Sequence, residues 1–283
     1  MLFDTKQIWI KTKTNLHVGD GGTNFDIVDK KVQRDSISEL PIINASSLKG
    51  AIKDHMRFFK LEKDEKSEDL DHLENDAFEK LFGDDMQGLV RFLDSYLLFI
   101  PMRANNKPFY HVTSKANLLS AVEFFESLGV KIQEQTKQEI EKLQDNTSIQ
   151  EAIIEDTSCK SANIDIDKLL SFMPLSMRPK DIAIFSNDDF IDVVKHLPII
   201  ARNKLKEGKS DNLWYEEIVP RESIFYTAML DYNNFGKSSE FKYNKGFQAF
   251  YELLQKEFIQ VGANASIGFG LCKFEIEESK NVQ

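Results

Sequence analysis

The chain has 283 residues, 41% hydrophobic and 29% charged, which is ordinary globular composition with ample apolar side chains for a core. Its formal charge is −10, a balance that by itself argues against a partner rich in phosphate. No apolar run reaches the length of a membrane span, the N-terminus lacks the pattern of a secretion signal, and two distant cysteines make neither a disulfide framework nor a zinc motif; a cytoplasmic protein is expected.

In chain order, Ile8, Ile10, Thr12, Thr14 and Leu16 alternate with Lys11, Lys13 and Asn15, predicting a half-buried strand. Gly19-Asp20-Gly21-Gly22-Thr23 interrupts it. This glycine loop matches neither the P-loop nor the dinucleotide fingerprint, so it reads as a surface turn ahead of a nucleotide site. Asp26 and Asp29 follow, close to Lys30, Lys31 and Arg34. Acids beside bases are usually just solvated, yet a carboxylate next to cations can also orient a hydroxyl nucleophile on a bound phosphodiester.

A helix is expected from Ser46 or Ser47 as N-cap, with Leu48, Ile52, Met56 and Phe59 facing the core and Lys49, Lys53, Arg57 and Lys60 on another face. Its N-terminus, flanked by serine hydroxyls, Lys49 and Gly50, reads either as a plain capped helix or as a phosphate site. Charge is unevenly spread. Residues 30–60 carry seven bases against three acids, whereas residues 61–85 carry eleven acids against three lysines. The acidic excess therefore sits largely in one stretch and does not describe the whole surface.

Further on, Arg91 to Leu98 reads as a strand, residues 121–148 as helical, and 150–211 as short elements of weak periodicity, the mark of an insertion. Residues 195–211 are locally basic, with Lys195, Arg202, Lys204, Lys206 and Lys209 against Glu207 and Asp211. Ile224 to Leu230 is a β-rich run, a helix is expected to carry Phe247, Phe250, Tyr251, Leu254 and Phe258, and the glycine-bearing loop Gly262–Gly270 precedes a last strand from Leu271 to Ile276. Strand, helix, strand, repeated after a long spacer, predicts an α+β, ferredoxin-like (RRM-like) core with large insertions, about 61–88 and 121–211, in a single domain spanning 1–283.

The segments His17-Val18-Gly19, Ile27-Val28-Asp29-Lys30-Lys31-Val32-Gln33-Arg34-Asp35, Pro41-Ile42-Ile43-Asn44-Ala45-Ser46-Ser47-Leu48-Lys49-Gly50, Leu213-Trp214-Tyr215-Glu216-Glu217 and Gly262–Gly270 resemble, in this order, the RAMP superfamily of CRISPR-associated proteins. Within it they are most similar to the repeated backbone subunit of the type III-B (Cmr) effector complex. The resemblance implies a filament of copies along a crRNA, with a β-hairpin thumb (about 195–220) interrupting the guide–target duplex and metal-dependent endoribonuclease cleavage of the target RNA beside each interruption. It implies Asp29 as the catalytic carboxylate and as a ligand of a divalent ion, Mg or Mn. His17 and Glu217 are further candidates, and Glu216 lies in the same motif. Guide contacts are expected from Arg34, Ser46, Ser47, Lys49, Lys53, Arg57, Asn264, Ser266 and Gly268. The implied partners are crRNA, target RNA, further copies of the chain, and the large polymerase-like, small and capping RAMP subunits of the complex, with no membrane. The alternative is a non-catalytic crRNA-binding scaffold subunit of a type III complex.

Overall fold

The computed structural model describes residues 3–22, 28–62, 81–83, 87–231 and 250–278. The strands are β1 (Asp4–Thr12), β2 (Ile42–Ile43), β3 (Val90–Phe92), β4 (Ser95–Met102), β5 (Tyr110–Ser114), β6 (Thr147–Ser148), β7 (Ala152–Ile154), β8 (Thr157–Ser161), β9 (Ile182–Phe185), β10 (Ile199–Lys206), β11 (Lys209–Glu217), β12 (Ile224–Asp231), β13 (Phe258–Gln260) and β14 (Leu271–Glu278). The helices are α1 (Ala45–Glu62), α2 (Lys115–Ser127), α3 (Glu134–Glu141), α4 (Ile166–Leu169) and α5 (Asn187–Lys195), and residues 250–256 are also helical. The fold is mixed α+β around one large sheet.

The sheet runs β13-β14-β1-β12-β4-β5-β9-β6-β8-β7, with β2 beside β4 and β3 beside β12. β1 is central, antiparallel to β12 on one side (Ile8 opposite Thr227) and to β14 on the other (Ile8 opposite Ile276). This position corrects the sequence expectation of a half-buried strand running to Leu16. β1 ends at Thr12, and Trp9 is as fully buried as Ile8 and Ile10, because both faces of the sheet are covered. Ile8, Ile10 and Phe225 join the core beneath α1, where Leu48, Ile52 and Met56 form the buried helical stripe. Trp9 and Tyr226 face the other way, onto Leu118, Val122 and Phe125 of α2.

Two further expectations change. Ser114, whose Oγ accepts the Asn117 N–H, caps α2 and starts it six residues before 121. Phe258 lies in the edge strand β13, 53% exposed, because the helix before it ends by residue 257; Phe247 lies outside the described residues. Residues 147–185 extend the sheet: β9 pairs in parallel with β5, and β6, β8 and β7 follow it outward. Only β10 and β11 leave the sheet. They form a separate antiparallel hairpin, Ile199 opposite Glu217 at its root and Lys206 opposite Lys209 at its tip. Most of 61–85 lies outside the described residues. Among the described residues, no helix is long and apolar enough to cross a membrane.

Candidate functional site

The hairpin root is where the segments singled out in the sequence meet. Residues 28–34 run alongside the end of β11: Lys30 N–H donates to the Tyr215 carbonyl at 3.1 Å, and Glu217 N–H to the Lys30 carbonyl at 2.9 Å. The same segment pairs backward with residues 17–20 through Gln33 N to Val18 O (2.8 Å) and Asp20 N to Lys31 O (3.1 Å). Asp26 and Ile27 lie outside the described residues. Asp29 is exposed, and its Oδ2 accepts the Tyr215 N–H at 2.8 Å. That single backbone bond fixes the carboxylate at the base of the hairpin.

Behind Asp29 the other two carboxylates are buried and occupied. Glu216 is 1% exposed and accepts from Trp214 Nε1 (2.7 Å), Asn264 Nδ2 (2.8 Å), Lys30 Nζ (3.1 Å) and Arg202 Nε (3.2 Å). Burial alone would raise its pKa. The four donors outweigh burial and hold the carboxyl at about 2. The cations are themselves stacked, Lys30 over the Trp214 ring at 5.2 Å and Arg202 over Phe269 at 4.5 Å. Glu217 accepts Arg34 Nη2 at 2.5 Å and the Val32 N–H at 3.0 Å. Arg34, expected on the RNA, spends its guanidinium inside the protein: besides Glu217 it donates to the carbonyls of Glu39 and Val194.

His17 is 3% exposed, and its Nδ1–H donates to the Glu217 carbonyl at 2.7 Å. That bond assigns the proton of a neutral ring to Nδ1 and leaves Nε2 an acceptor facing Gly19. The glycine loop closes over the histidine backbone. A Cβ on Gly262 (φ +77°) would lie 2.4 Å from the His17 carbonyl oxygen, and one on Gly270 (φ +73°) 2.0 Å from that of Val261. Side chains are excluded at both positions by contact and by backbone angle. Asn264, in the left-handed region at φ 67°, turns its amide onto Glu216; Ser266 and Gly268 are exposed on the short 3-10 turn that follows.

The α1 N-terminus joins through Gln33, whose Oε1 accepts the Asn44 N–H and whose Nε2 donates to Ser47 Oγ. α1 begins at Ala45, so Asn44 is the cap residue, two or three residues before the Ser46 or Ser47 expected from sequence, and both serines lie within the first turn. Asp94 Oδ1 accepts the Ala45 N–H at 2.7 Å, so a protein carboxylate already meets the positive end of this helix. Ser46 is exposed and Lys49 and Lys53 half-buried along one face; Arg57, further along, pairs loosely with Asp54 at 3.6 Å. Thus Asp29, His17, Glu217, Arg34, Ser47 and Asn264 form one bonded network, whereas Lys53 and Arg57 stand apart from it. Sequence reasoning missed the use of Trp214, Arg202 and Asn264 as donors to Glu216. Only the density of charged and aromatic residues around Trp214 hinted at it.

Among the described residues, no three His, Cys, Asp or Glu side chains converge to hold a metal ion. Glu216 and Glu217 are ringed by donors, which leaves Asp29 as the carboxylate with an oxygen to offer. A divalent ion fits here in one form, with Asp29 as one oxygen ligand and water and substrate phosphates supplying the rest.

A fold built from this sheet, with its glycine-loop clasp and a hairpin rooted on buried glutamates, matches a known class over nearly its whole length. The RAMP superfamily model matches residues 9–273, and the chain belongs to that superfamily. One relative is the CRISPR system Cmr endoribonuclease Cmr4 of Pyrococcus furiosus, 25% identical over 305 residues, which cover 97% of this chain and 96% of that protein. Among solved structures, a chain of the cryo-EM structure of the type III-B Cmr-beta complex bound to cognate target RNA superposes with a TM-score of 0.74 at 23% identity, covering 96% of each chain. Oligomeric Cmr4 from Pyrococcus furiosus superposes with a TM-score of 0.73 at 20% identity, covering 98% of this chain and 99% of that one. The structural likenesses establish a shared fold.

Proposed function

We propose that this chain is the repeated crRNA-binding backbone subunit of a type III-B CRISPR effector complex and cleaves complementary target RNA beside Asp29, in the cytoplasm and as part of antiviral defence. The observation that carries this reading is the bond from Tyr215 N–H to Asp29, which couples an exposed carboxylate to the root of a basic hairpin. Membership of the RAMP superfamily and the likeness to an endoribonuclease and to a target-bound complex support it. The partners proposed with it are crRNA, target RNA, further copies of the chain, and the large, small and capping subunits of the complex.

In this reading β14-β1-β12-β4, with α1 between β1 and β4 and helix 250–256 between β12 and β14, is a ferredoxin-like core; the split strand order supports it. The β10–β11 hairpin is the thumb, and residues 61–88 and 121–211 are insertions into a single domain. Guide contacts fall mostly on phosphate and sugar, through Ser46, Lys49, Lys53 and the exposed Ser266–Gly268 turn, because one subunit must accept any guide sequence.

Cleavage uses the target's own 2′-hydroxyl, which attacks the adjacent phosphorus and expels the 5′-oxygen; DNA lacks this nucleophile. The hairpin splays a nucleotide so that its 2′-oxygen comes in line, and Asp29 orients that hydroxyl and accepts its proton. His17, buried and bonded to the Glu217 carbonyl, positions the loop that carries Asp29. A divalent ion, Mg or Mn, held by Asp29 and phosphate oxygens, would neutralise charge developing on the phosphate.

One observation favours a second reading. An aspartate that accepts a backbone N–H also orders a loop, so a scaffold subunit without cleavage is the alternative. Asp29→Asn in the reconstituted complex separates the two. Target binding retained and cleavage lost is the expected result; cleavage at the wild-type rate would reject Asp29 as the catalytic group.

A further inference from the structure

We propose that the cavity between the 35–42 turn, α2 and α5 is a receptor for an arginine side chain presented by a partner protein. The cavity holds about 520 Å³, within the range of small-ligand sites. Four aromatic rings line it, Phe190 and three that pack on one another: Tyr96 and Phe124 with centroids 5.6 Å apart, Tyr96 and Tyr226 at 5.7 Å, and Phe124 and Tyr226 at 5.4 Å. Tyr226 is only 3% exposed, and neither its hydroxyl nor that of Tyr96 hydrogen-bonds to any described residue. A phenol oxygen that opens into a cavity and bonds no described residue is available to whatever enters that cavity.

The charge at this wall is negative. Asp35 lines the cavity as a carboxylate whose Oδ2 accepts from the Ser38 hydroxyl and the N–H groups of Ile37 and Ser38. Burial raises the pKa of both tyrosines; Asp94 and Asp35 add to the shift at Tyr96, and Tyr96 and Asp35 at Tyr226. The opposing charges are weak or engaged. The first turn of α2 contributes its dipole, but Ser114 caps Asn117 N–H and Lys115 pairs with Glu141, while the first turn of α5 carries Asp188 and Asp189. Aromatic faces, phenol acceptors and a carboxylate in one concavity suit a cation with an apolar stem. The planar guanidinium stacks on rings and offers several donors at once, which suits arginine better than an ammonium.

The rim indicates where the arginine comes from. Ile37 is 91% exposed at the tip of the turn that Asp35 stiffens, beside the cavity mouth. A free polyamine has no use for an apolar contact outside the pocket; a polypeptide carrying the arginine does.

The test uses the full chain without RNA, so its outcome is independent of the proposed cleavage activity. Ac-Leu-Arg-Leu-amide, its citrulline counterpart and spermidine are titrated separately, with binding followed by calorimetry and by the ring resonances of Tyr96 and Tyr226. The expected result is saturable binding of the arginine peptide that shifts both rings, with the neutral citrulline peptide about tenfold weaker. Phe124→Leu should weaken the arginine peptide about fivefold. Ile37→Ser, on the surface and harmless to folding, should weaken the peptide about threefold and leave spermidine unchanged. Equal binding of the citrulline peptide, no shift at either ring, or spermidine binding as tightly as the arginine peptide would overturn the proposal.

Discussion

The three carboxylates at the hairpin root divide into two kinds of environment. Glu216 and Glu217 are buried, the first accepting four donors and the second two, whereas Asp29, which bonds the residue just before them in the same strand, is exposed with one backbone partner. A buried carboxylate with four donors is held in one protonation state and one orientation, which makes it a framework. An exposed one can exchange partners, which reaction requires. The contrast assigns structure to the glutamates and chemistry to the aspartate, although all three stood together as candidates in the sequence.

That division can be broken by experiment. The largest effect is expected for Asp29→Asn in the assembled complex: target cleavage should fall about 10²-fold or more, with a melting temperature matching the parent. Next, Glu216→Ala should cost about 3 to 5 kcal/mol in urea unfolding, because Lys30, Arg202 and Asn264 lose their common acceptor. If Glu216→Ala kept its stability and lost only cleavage, the roles assigned here would be reversed. Gly270→Ala should cost about 2 to 3 kcal/mol, since the new methyl meets the Val261 carbonyl at a backbone angle alanine avoids.

The pH dependence sharpens the same comparison. Glu216 has a folded-state pKa of about 2, below its ordinary 4.5, so its contribution is full above pH 4.5 and is lost as pH falls toward 2. His111 provides an earlier step. Burial first, then the charge of Lys11, push it down to about 4 from 6.5; the stability from its neutral form is present above 6.5 and declines as pH drops to 4. Stability measured from pH 7 to 3 should therefore fall in two stages, with His111→Gln removing the first. The smallest effect is expected from Lys49→Glu. Guide affinity should drop about threefold to tenfold with a shallower salt dependence, and folding should stay unchanged.

Much of the frame was legible because it depends on local pattern. The Leu48, Ile52, Met56 stripe and the Ile224 to Leu230 run became α1 and β12. Long-range pairing was not legible. Alternation around Ile8 reads as one buried face, and only β14 and β12 closing on both sides, with α2 beneath Trp9, make it two. The site was legible as a set of segments through the resemblance, but not the assignment of each charge. Arg34 and Asn264 are polar residues in loops, and nothing local tells a guanidinium facing solvent from one folded onto Glu217.

The central place of β1 has a consequence for how the molecule is made. Thr12 meets its partner Ser223 across 211 residues of chain, so the first strand leaves the ribosome long before anything exists for it to pair with. At ordinary translation speeds that delay is about 10 to 40 s. During it Ile8, Trp9 and Ile10 have no sheet to enter. β12 and β14, made more than two hundred residues later, are the strands that lock β1 into place.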